Sequence, residues 1–345
     1  MQLTVHQITL ALKNPFRVAH GTRTHQPTLI VEILNAAGQV GYGEATMTSY
    51  YGLDSEVCAQ ALQNFAPAFS PYNQLSPAEL HELLDRHVPT LNPFLRCALD
   101  VAVHDLWGKQ LDQRVGDIWQ VPNPRKTPTC YTIGLADIPT MIAKLRAFPW
   151  PVYKIKLGGG DDDLAIIRAL REHTDSPFYV DANTGWTAQQ TIDYSPVLRD
   201  LGVVFIEQPL PVADIAGHQQ VKKHSALPII ADESCQVPAD VDTCAELFHG
   251  INIKILKCGG LLPARQMIAR ARVQGLSVMA GCMTESSFGI SAVAQLLPEL
   301  DYADMDGAML LADDPGEGVR FDSESGLAIY PKRVGTGARW RSSEY

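Results

Sequence analysis

The feature that most constrains this sequence is a series of eight short apolar segments in its C-terminal two thirds. They recur at intervals of about 25 residues, with helix-like stretches between them. The segments are TCYTIGL (129–135), VYKIKLG (152–158), FYVDAN (178–183), VFIEQP (204–209), PIIADES (228–234), INIKIL (251–256), SVMAGCM (277–283) and YADMDG (302–307). Strands alternating with helices indicate an α/β fold with a parallel sheet, and eight near-equal repeats favour a closed barrel. An open doubly wound sheet is the competing architecture, but the glycines at 158–160 form no GxGxxG helix entry.

The N-terminal third has a different pattern, in which strands come first and helices follow. Alternating apolar and polar residues, with the turn NAAGQ before a third strand, predict an antiparallel meander. Helical spacing of apolar residues then predicts three helices. The predicted strands cover residues 2–12, 28–34 and 40–44, and the predicted helices cover residues 55–69, 76–87 and 93–108. This order is typical of an α+β companion domain, on which we expect the Gly-rich tail after residue 315 to pack.

Composition and charge exclude several classes of protein. Hydrophobic residues make up 46% of the 345 positions and charged residues 19%, as in ordinary globular proteins. The net charge of −10 argues against a nucleic-acid-binding or anionic-membrane surface. No apolar stretch reaches the roughly 18 residues of a membrane span. The opening MQLTVHQITL alternates like an edge strand and lacks the pattern of a signal peptide.

The cysteines and histidines give no sign of a disulfide framework or a zinc site. The seven cysteines are scattered, without a CxxC pair, and the ten histidines form no HExxH motif. We therefore expect reduced thiols and a cytoplasmic protein.

Charged residues stand at the ends of six of the eight predicted strands. In a parallel barrel these C-terminal ends converge on one mouth, where active sites lie. The residues are Lys154 and Lys156 on strand two, Asp181 on strand three, Glu207 on strand four, Asp232 on strand five, Lys254 on strand six, and Asp304 and Asp306 on strand eight. A solvated barrel rim is the simpler interpretation of any one of them, but it does not account for their recurrence in register.

Three of these residues, Asp181, Glu207 and Asp232, come from adjacent strands. Their negative charges would repel each other without a counter-ion, and oxygen ligands with room for water suit Mg²⁺. For each one alone, an ion pair with a neighbouring lysine is the alternative. The spacing of one barrel repeat favours a shared magnesium site.

Lys156 and Lys254 lie on strands that flank the three carboxylates. They can therefore face a bound substrate from opposite sides, as acid and base for a proton next to a carboxylate. A lysine base needs a lowered pKa, and Lys154, two residues from Lys156, is expected to help lower it. An ion pair between Lys154 and a metal-site carboxylate is the competing interpretation.

The motifs around these residues resemble the enolase superfamily, specifically its muconate lactonizing enzyme subgroup. The similar motifs are KIK (154–156), VDANTGW (180–186), IEQPL (206–210), ADES (231–234) and NIKILKCGG (252–260). The resemblance implies a modified TIM barrel, (β/α)7β, over residues 126–314, and an N-terminal α+β capping domain over residues 1–125 that the tail 315–345 completes. It also implies magnesium on Asp181, Glu207 and Asp232, with Lys156 and Lys254 as the acid/base pair. Lys257 is the competing lysine on strand six.

Two further features resemble the dipeptide epimerases of that subgroup. One is GCMTES (281–286), which places Cys282 and Met283 at the site. The other is the pair Asp304 and Asp306, which in that family holds the substrate's α-ammonium group, although a turn-capping pair is the alternative. The resemblance implies the epimerisation of a dipeptide, as an isomerase that works in peptidoglycan recycling.

The substrate's side chains would be selected by loops of the capping domain. HGTRTHQ (20–26) contributes Arg23, which points to L-Ala-D/L-Glu as substrate or is simply a surface arginine. TMTSYYG (46–52) contributes Tyr50 and Tyr51. Thr132 on strand one either lines the pocket or fills a barrel layer, and the acidic run 161–163 is interpreted as helix N-terminal charge.

Other activities remain open from the sequence. The same lysines and metal would serve an epimerase of hydrophobic or other dipeptides. They would also serve o-succinylbenzoate synthesis or a cycloisomerisation. A non-catalytic small-molecule binder would not need two opposed lysines. We expect a small-molecule dipeptide as partner, no nucleic acid or membrane, and a homo-oligomer by analogy with the family.

Overall fold

The computed structural model describes residues 1–18, 21–158, 160 and 162–341. An N-terminal antiparallel sheet has the order β1 (Gln2–Val18), β2 (Gly21–Leu34), β3 (Val40–Thr46). Its first two strands are longer than the sequence pattern predicted. A register shift between Ala11 and Phe16 lets their pairing continue past the alternating stretch.

Four helices follow this sheet, and the first three begin after the capping residues Asp54, Ser76 and Asn92. The first 3₁₀ turn covers Ser49–Tyr51, and the helices are α1 (Ser55–Phe65), α2 (Pro77–His87), α3 (Pro93–Gln110) and α4 (Val115–Ile118). A second 3₁₀ turn, Ala66–Phe69, follows α1, so the helix predicted over 55–69 changes geometry where Pro67 enters. α3 lies against β3 at close range, and this approach requires a glycine at position 43. A Cβ on Gly43 would lie only 1.9 Å from the Ala98 carbonyl oxygen.

The barrel contains the eight parallel strands that the repeats predicted, and each pairs with its neighbour in chain order. The strands are β4 (Tyr131–Ile133), β5 (Tyr153–Lys156), β6 (Phe178–Asp181), β7 (Val203–Glu207), β8 (Ile229–Ala231), β9 (Gly250–Ile253), β10 (Ser277–Gly281) and β11 (Tyr302–Asp304). A parallel bridge from Thr129 to Ala303 joins the first strand to the last. The open-sheet alternative is therefore excluded, and the (β/α)7β prediction is confirmed.

Helical connections follow the first seven barrel strands. They comprise α5 (Ile138–Ala147), α6 (Asp163–Arg171), α7 (Ala188–Asp200), α8 (Ile215–His224), α9 (Asp240–Leu247), α10 (Ile255–Cys258), α11 (Leu261–Val273), α12 (Ser287–Val293) and the 3₁₀ turn Ala294–Glu299. A last 3₁₀ turn, Gly307–Leu310, follows β11. The strand predicted over 251–256 ends at Ile253, so Lys254 stands at the junction between strand and helix.

Side-chain alternation divides the barrel interior into an apolar layer and a charged layer. Tyr179 and Phe205 point inward, stack with ring centroids 4.4 Å apart, and belong to a buried apolar cluster. Asp181 and Glu207 stand two residues further along the same strands and share their orientation. The barrel is thus filled by aromatic rings below and carries its charges at the C-terminal mouth.

The C-terminal tail contacts the N-terminal region. It forms the short strands β12 (Gly316–Glu317), β13 (Arg320–Phe321), β14 (Ala328–Ile329) and β15 (Arg339–Trp340). The Thr336 amide donates to Asp105 Oδ1 on α3 at 2.7 Å, and Trp340 Nε1 donates to Glu32 on β2. None of the helices in the described part of the chain is both long and apolar enough to cross a membrane.

A buried carboxylate joins the N-terminal sheet to the loop after β10. Glu44 on β3 accepts hydrogen bonds from the Ser286 amide (3.0 Å), the Ser286 hydroxyl (2.6 Å) and the Gly289 amide (3.0 Å), at the start of α12. Glu285 lies beside them, with Oε1 accepting from the Met283 amide at 2.7 Å. Its Oε2 is buried without a hydrogen-bond partner. Burial and the neighbouring Glu44 raise the pKa of Glu285 to about 8.

We expect Glu285 to make the protein less stable as pH rises from about 5 to about 8. The folded state holds a proton that the unfolded chain, with a pKa of about 4.3, releases, so raising the pH favours unfolding by up to about 1.4 kcal/mol per pH unit. Chemical unfolding of wild type and Glu285→Gln across this range should show that the variant lacks this component. The exposed Glu82→Gln is the control, and identical pH dependence of wild type and Glu285→Gln would contradict the assignment.

Candidate active site

A cavity of about 140 Å³ lies at the mouth of the barrel, beneath loops of the N-terminal region. Barrel residues in its lining include Thr132, Lys154, Lys156, Asn183, Asp232, Glu233, Lys254, Cys282, Met283, Thr284, Asp304 and Asp306. The N-terminal region contributes Arg23, Gln26, Thr46, Thr48, Tyr50 and Tyr51. Ten of the twelve residues selected from the sequence therefore line one cavity. The other two, Asp181 and Glu207, are fully buried at the same strand ends.

Asp181, Glu207 and Asp232 form the one cluster in the described residues whose side-chain atoms could together hold a metal ion. One oxygen from each lies within 4.8 Å of the others. Glu207 Oε2 is 2.8 Å from Lys154 Nζ, but not in hydrogen-bonding geometry, and it is a buried acceptor without a hydrogen bond. Burial and Asp181 raise the pKa of Glu207 to about 7. A carboxylate set with an unsatisfied buried oxygen fits a hard divalent cation.

Two lysines contact the outer carboxylates of this cluster. Lys156 Nζ lies 2.6 Å from Asp181 Oδ2, and Lys254 Nζ lies 2.7 Å from Asp232 Oδ2. Their strands, β5 and β9, are four positions apart in an eight-stranded barrel, so the lysines approach the cavity from opposite sides. Burial lowers the pKa of Lys254, but Asp232, Glu207 and Glu233 together outweigh burial, and the pKa lies above its ordinary value. Asp232 thus opposes the lowered pKa expected of a base.

Lys257, the competing lysine, has a different position. Its Nζ lies 2.5 Å from Asp232 Oδ1 and 2.7 Å from the Asp232 carbonyl oxygen. It is buried and is not among the residues that line the cavity, whereas Lys254 is. Lys257 therefore binds Asp232 on the side that faces away from the cavity.

Lys154 lies deeper than Lys156, among the carboxylates. Its Nζ is 2.8 Å from both Asp304 Oδ2 and Glu207 Oε2, and 3.1 Å from Asp181 Oδ2. Burial lowers the pKa of Lys154, but these carboxylates outweigh it and raise the pKa well above its ordinary value. Lys154 therefore forms ion pairs with metal-site carboxylates, as the competing interpretation expects. The lysine lies in the interior of the barrel and not at its rim.

Asp304 and Asp306 lie on the side of the cavity next to β4. Asp306 Oδ2 accepts from the Thr132 amide at 2.7 Å, and Asp304 Oδ1 accepts from the Cys130 thiol at 3.3 Å. Burial and Asp304 raise the pKa of Asp306 to about 7. Asp304 also forms an ion pair with Lys154, whereas among the residues that the structure describes Asp306 forms no ion pair with a lysine. The carboxyl group of Asp306 is therefore free to bind a cationic group in the cavity.

The residues expected to select side chains surround the entrance. Arg23 is half-buried and donates through Nη1 to Gln26 Oε1 at 2.9 Å. Tyr51 packs against Phe94 with ring centroids 5.1 Å apart, while Tyr50 is exposed. His20 of the loop segment 20–26 and Asp161 of the acidic run 161–163 lie outside the described residues.

Asp163 is the first residue of α6, as its interpretation as helix N-terminal charge predicted, and it also joins two loops. Its Oδ2 accepts from Trp186 Nε1 at 2.6 Å and from the Gly158 amide at 3.2 Å. It therefore ties the loop after β5 to the loop after β6.

Gln208 is a residue whose role the sequence reasoning missed. It is fully buried, and its Oε1 accepts from the backbone amides of Asp232 (3.0 Å) and Ser234 (3.1 Å). Its Nε2 donates to the Leu210 carbonyl (3.0 Å) and to Ser234 Oγ (2.9 Å). Its φ of 34° lies in the left-handed region, which is uncommon for a non-glycine residue. The motif IEQPL places this glutamine after β7, but only the structure shows that it joins the ends of β7 and β8.

The fold and the cavity together define a capped (β/α)7β barrel with acidic and basic groups at its mouth. Residues 1–118 match the family described as mandelate racemase / muconate lactonizing enzyme, N-terminal domain, and residues 141–344 match the enolase C-terminal domain-like family. The chain belongs to this enolase-type family, as its motifs predicted.

Several relatives and solved structures are similar over nearly the whole chain. The L-Ala-D/L-amino acid epimerase of a Maribacter species is 47% identical over 98% of both chains. The L-Ala-D/L-Glu epimerase of Escherichia coli is 33% identical, over 90% of this chain and 94% of its own. The dipeptide epimerase of Methylococcus capsulatus, solved with Mg and L-Arg-D-Lys, is 30% identical with a TM-score of 0.88, over 99% of this chain and 100% of its own.

Replacing Gln208 with alanine should weaken divalent-cation binding about 10- to 100-fold. The substitution leaves two backbone amides beside Asp232 without their acceptor, and such supporting contacts have effects of this size. Calorimetric titration of metal-free protein with Mg²⁺, and EPR titration with Mn²⁺, would measure the affinity.

Gln295→Ala is the matched control for this experiment. Gln295 is equally buried, and it bonds to the Gly116 amide and the Thr336 carbonyl, each at 3.1 Å, outside the cavity. It should lower thermal stability while leaving the cation affinity unchanged. If both variants lost affinity only in proportion to stability, Gln208 would be a structural residue and not a positioning one.

Proposed function

We propose that this protein is a magnesium-dependent dipeptide epimerase that acts at the α-carbon of the C-terminal residue. The main support is that Lys156 and Lys254 approach one cavity from opposite sides. The carboxylate cluster lies on one side of these lysines, and the acidic pair Asp304 and Asp306 lies on the other. A dipeptide has a carboxylate at one end and an ammonium group at the other. It therefore matches both parts of the cavity in charge.

The similar proteins support an L-alanyl dipeptide as substrate. The Maribacter relative is named for L-Ala-D/L-amino acids and the Escherichia coli relative for L-Ala-D/L-Glu. Arg23 at the entrance supports an acidic C-terminal residue, and L-Ala-D/L-Glu is the substrate we propose. An enzyme of peptidoglycan recycling would meet this dipeptide in the cytoplasm, where the seven free cysteines of the chain are stable.

Each group at the mouth of the barrel then has a role. Asp181, Glu207 and Asp232 hold Mg²⁺, which when bound supplies positive charge against the substrate carboxylate and so acidifies the α-proton. One of the two opposed lysines removes that proton, and the other delivers a proton to the opposite face. Asp304 and Asp306 hold the α-ammonium group, while Thr132, Cys282 and Met283 surround the bound dipeptide. Lys154 neutralises the carboxylates below.

We also propose the division of the chain into two domains. The capping domain covers residues 1–125 with the tail 315–345, and the barrel covers residues 126–314. The oligomeric state stays a prediction by analogy.

Incubation of L-Ala-L-Glu with the enzyme and Mg²⁺ in D₂O should give α-deuterium at the C-terminal residue together with loss of optical purity. Lys156→Ala and Lys254→Ala should each reduce epimerisation by about 10²- to 10⁴-fold, because each removes one proton-transfer group. NMR and chiral chromatography measure the two effects, with L-Ala-L-Leu testing the preference for an acidic residue. Exposed Lys223→Ala is the control.

The outcomes separate the competing activities. Absence of exchange with every dipeptide tested would exclude an epimerase. If only one lysine variant abolished exchange, a one-base elimination such as the o-succinylbenzoate synthase reaction would be favoured. A binding protein would retain its affinity in both variants and show no exchange.

Asp306→Asn should raise KM for L-Ala-L-Glu by about 10- to 100-fold, because a hydrogen bond to a charged group is worth about 1.5–3 kcal/mol. Asp306 is preferred to Asp304 because Asp304 also pairs with Lys154. Steady-state kinetics with L-Ala-L-Glu and its N-acetyl derivative test the role of the amine. Equal turnover of both dipeptides by wild type would mean that the acidic pair does not bind an ammonium group.

A further inference from the structure

The cavity at the mouth of the barrel has a neighbour that the proposed reaction does not use. This second cavity has a volume of about 200 Å³ and lies between β4, the end of α5, β1 and the 3₁₀ turn Gly307–Leu310. Leu310 and Thr132 line both cavities, so together they form the wall between them. Leu310 is half-buried, and its turn begins directly after Asp306.

The position of this wall relates it to one end of a dipeptide. The proposed function places the substrate's ammonium group at Asp304 and Asp306. The N-terminal Cα is bonded directly to that nitrogen, so the N-terminal side chain starts within two covalent bonds of it. The turn that follows Asp306 is therefore the element of the chain placed to limit this side chain.

We propose that Leu310 is the residue that restricts the N-terminal position of the substrate to alanine and similarly small residues. The inference rests on the proposed function and adds its selectivity at the amino end. The Leu310 side chain occupies the space through which a longer N-terminal side chain would reach the second cavity.

The second cavity is suited to receive such a side chain. The rings of Tyr131 and Phe148 stack 4.2 Å apart, and both line it. Lys13 and Lys144 are also in its lining, and Lys13 is exposed whereas Lys144 is half-buried. An apolar surface with two lysines fits a large apolar or an acidic side chain better than a basic one.

A hydrogen bond between β1 and the turn keeps the wall in place. Lys13 Nζ donates to the Met309 carbonyl oxygen at 2.9 Å. Because this bond uses the backbone of the turn, replacing the side chain of Leu310 leaves it intact. Substitution can thus open the wall without releasing the turn.

The test compares Leu310→Ala with wild type on L-Ala-L-Glu, L-Leu-L-Glu, L-Glu-L-Glu and L-Lys-L-Glu. We expect the kcat/KM ratio of L-Leu-L-Glu to L-Ala-L-Glu to rise by about 10-fold or more, in the range by which apolar pockets discriminate side chains. The ratio for L-Glu-L-Glu should rise as well, and the ratio for L-Lys-L-Glu should rise least. Leu310→Val, a smaller change, should shift the ratios in the same direction and tests the proposal if the alanine variant folds poorly.

Met309→Ala is the matched control. Met309 lines the second cavity but not the first, so this variant enlarges the second cavity without opening the wall. It should keep the wild-type ratios. Unchanged ratios in both Leu310 variants, while both still epimerise L-Ala-L-Glu, would overturn the inference. Absence of exchange by wild type with every dipeptide would instead overturn the proposed function.

Discussion

The structure depends on a balance of buried charge at one end of the barrel. Lys154 has almost no exposed surface, yet its ammonium group contacts Asp181, Glu207 and Asp304 within 3.1 Å. Burying charges costs several kcal/mol per ion unless they are paired, so the ammonium group of Lys154 and these carboxylates stabilise each other's charged forms. The strands that carry them must therefore keep a fixed relative register. The parallel pairing of Lys156 with Asp181 and of Asp181 with Glu207 along the sheet provides that register.

The N-terminal sheet and the loops of the barrel together form the entrance to the cavity. Glu44 on β3 accepts the free amides at the start of α12, and so fixes the loop that carries Cys282 and Met283 relative to the sheet that carries Arg23. The entrance to the cavity is consequently formed by two parts of the chain whose relative position is set by buried hydrogen bonds. Selectivity and proton transfer can then change separately, because different segments supply them.

The sequence predicted the parts of the structure that follow from periodicity. The barrel strands were visible because each is a short apolar run, and Asp181, Glu207 and Asp232 were visible because each ends such a run. Gln208 and Leu310 could not be found in this way. Gln208 acts by reaching across to the backbone of the next strand, and Leu310 acts by the direction in which a 3₁₀ turn places its side chain. Such effects depend on tertiary geometry, which neither composition nor spacing encodes locally.

The stacked rings of Tyr179 and Phe205 determine from which end of the barrel a substrate can reach the cavity. They fill the barrel below the charged layer, so a substrate reaches the cavity from the C-terminal mouth of the barrel. A substrate and its product therefore use the same end of the barrel to enter and to leave. The two epimers of a dipeptide converted here would therefore compete for one binding site, and each would slow the turnover of the other.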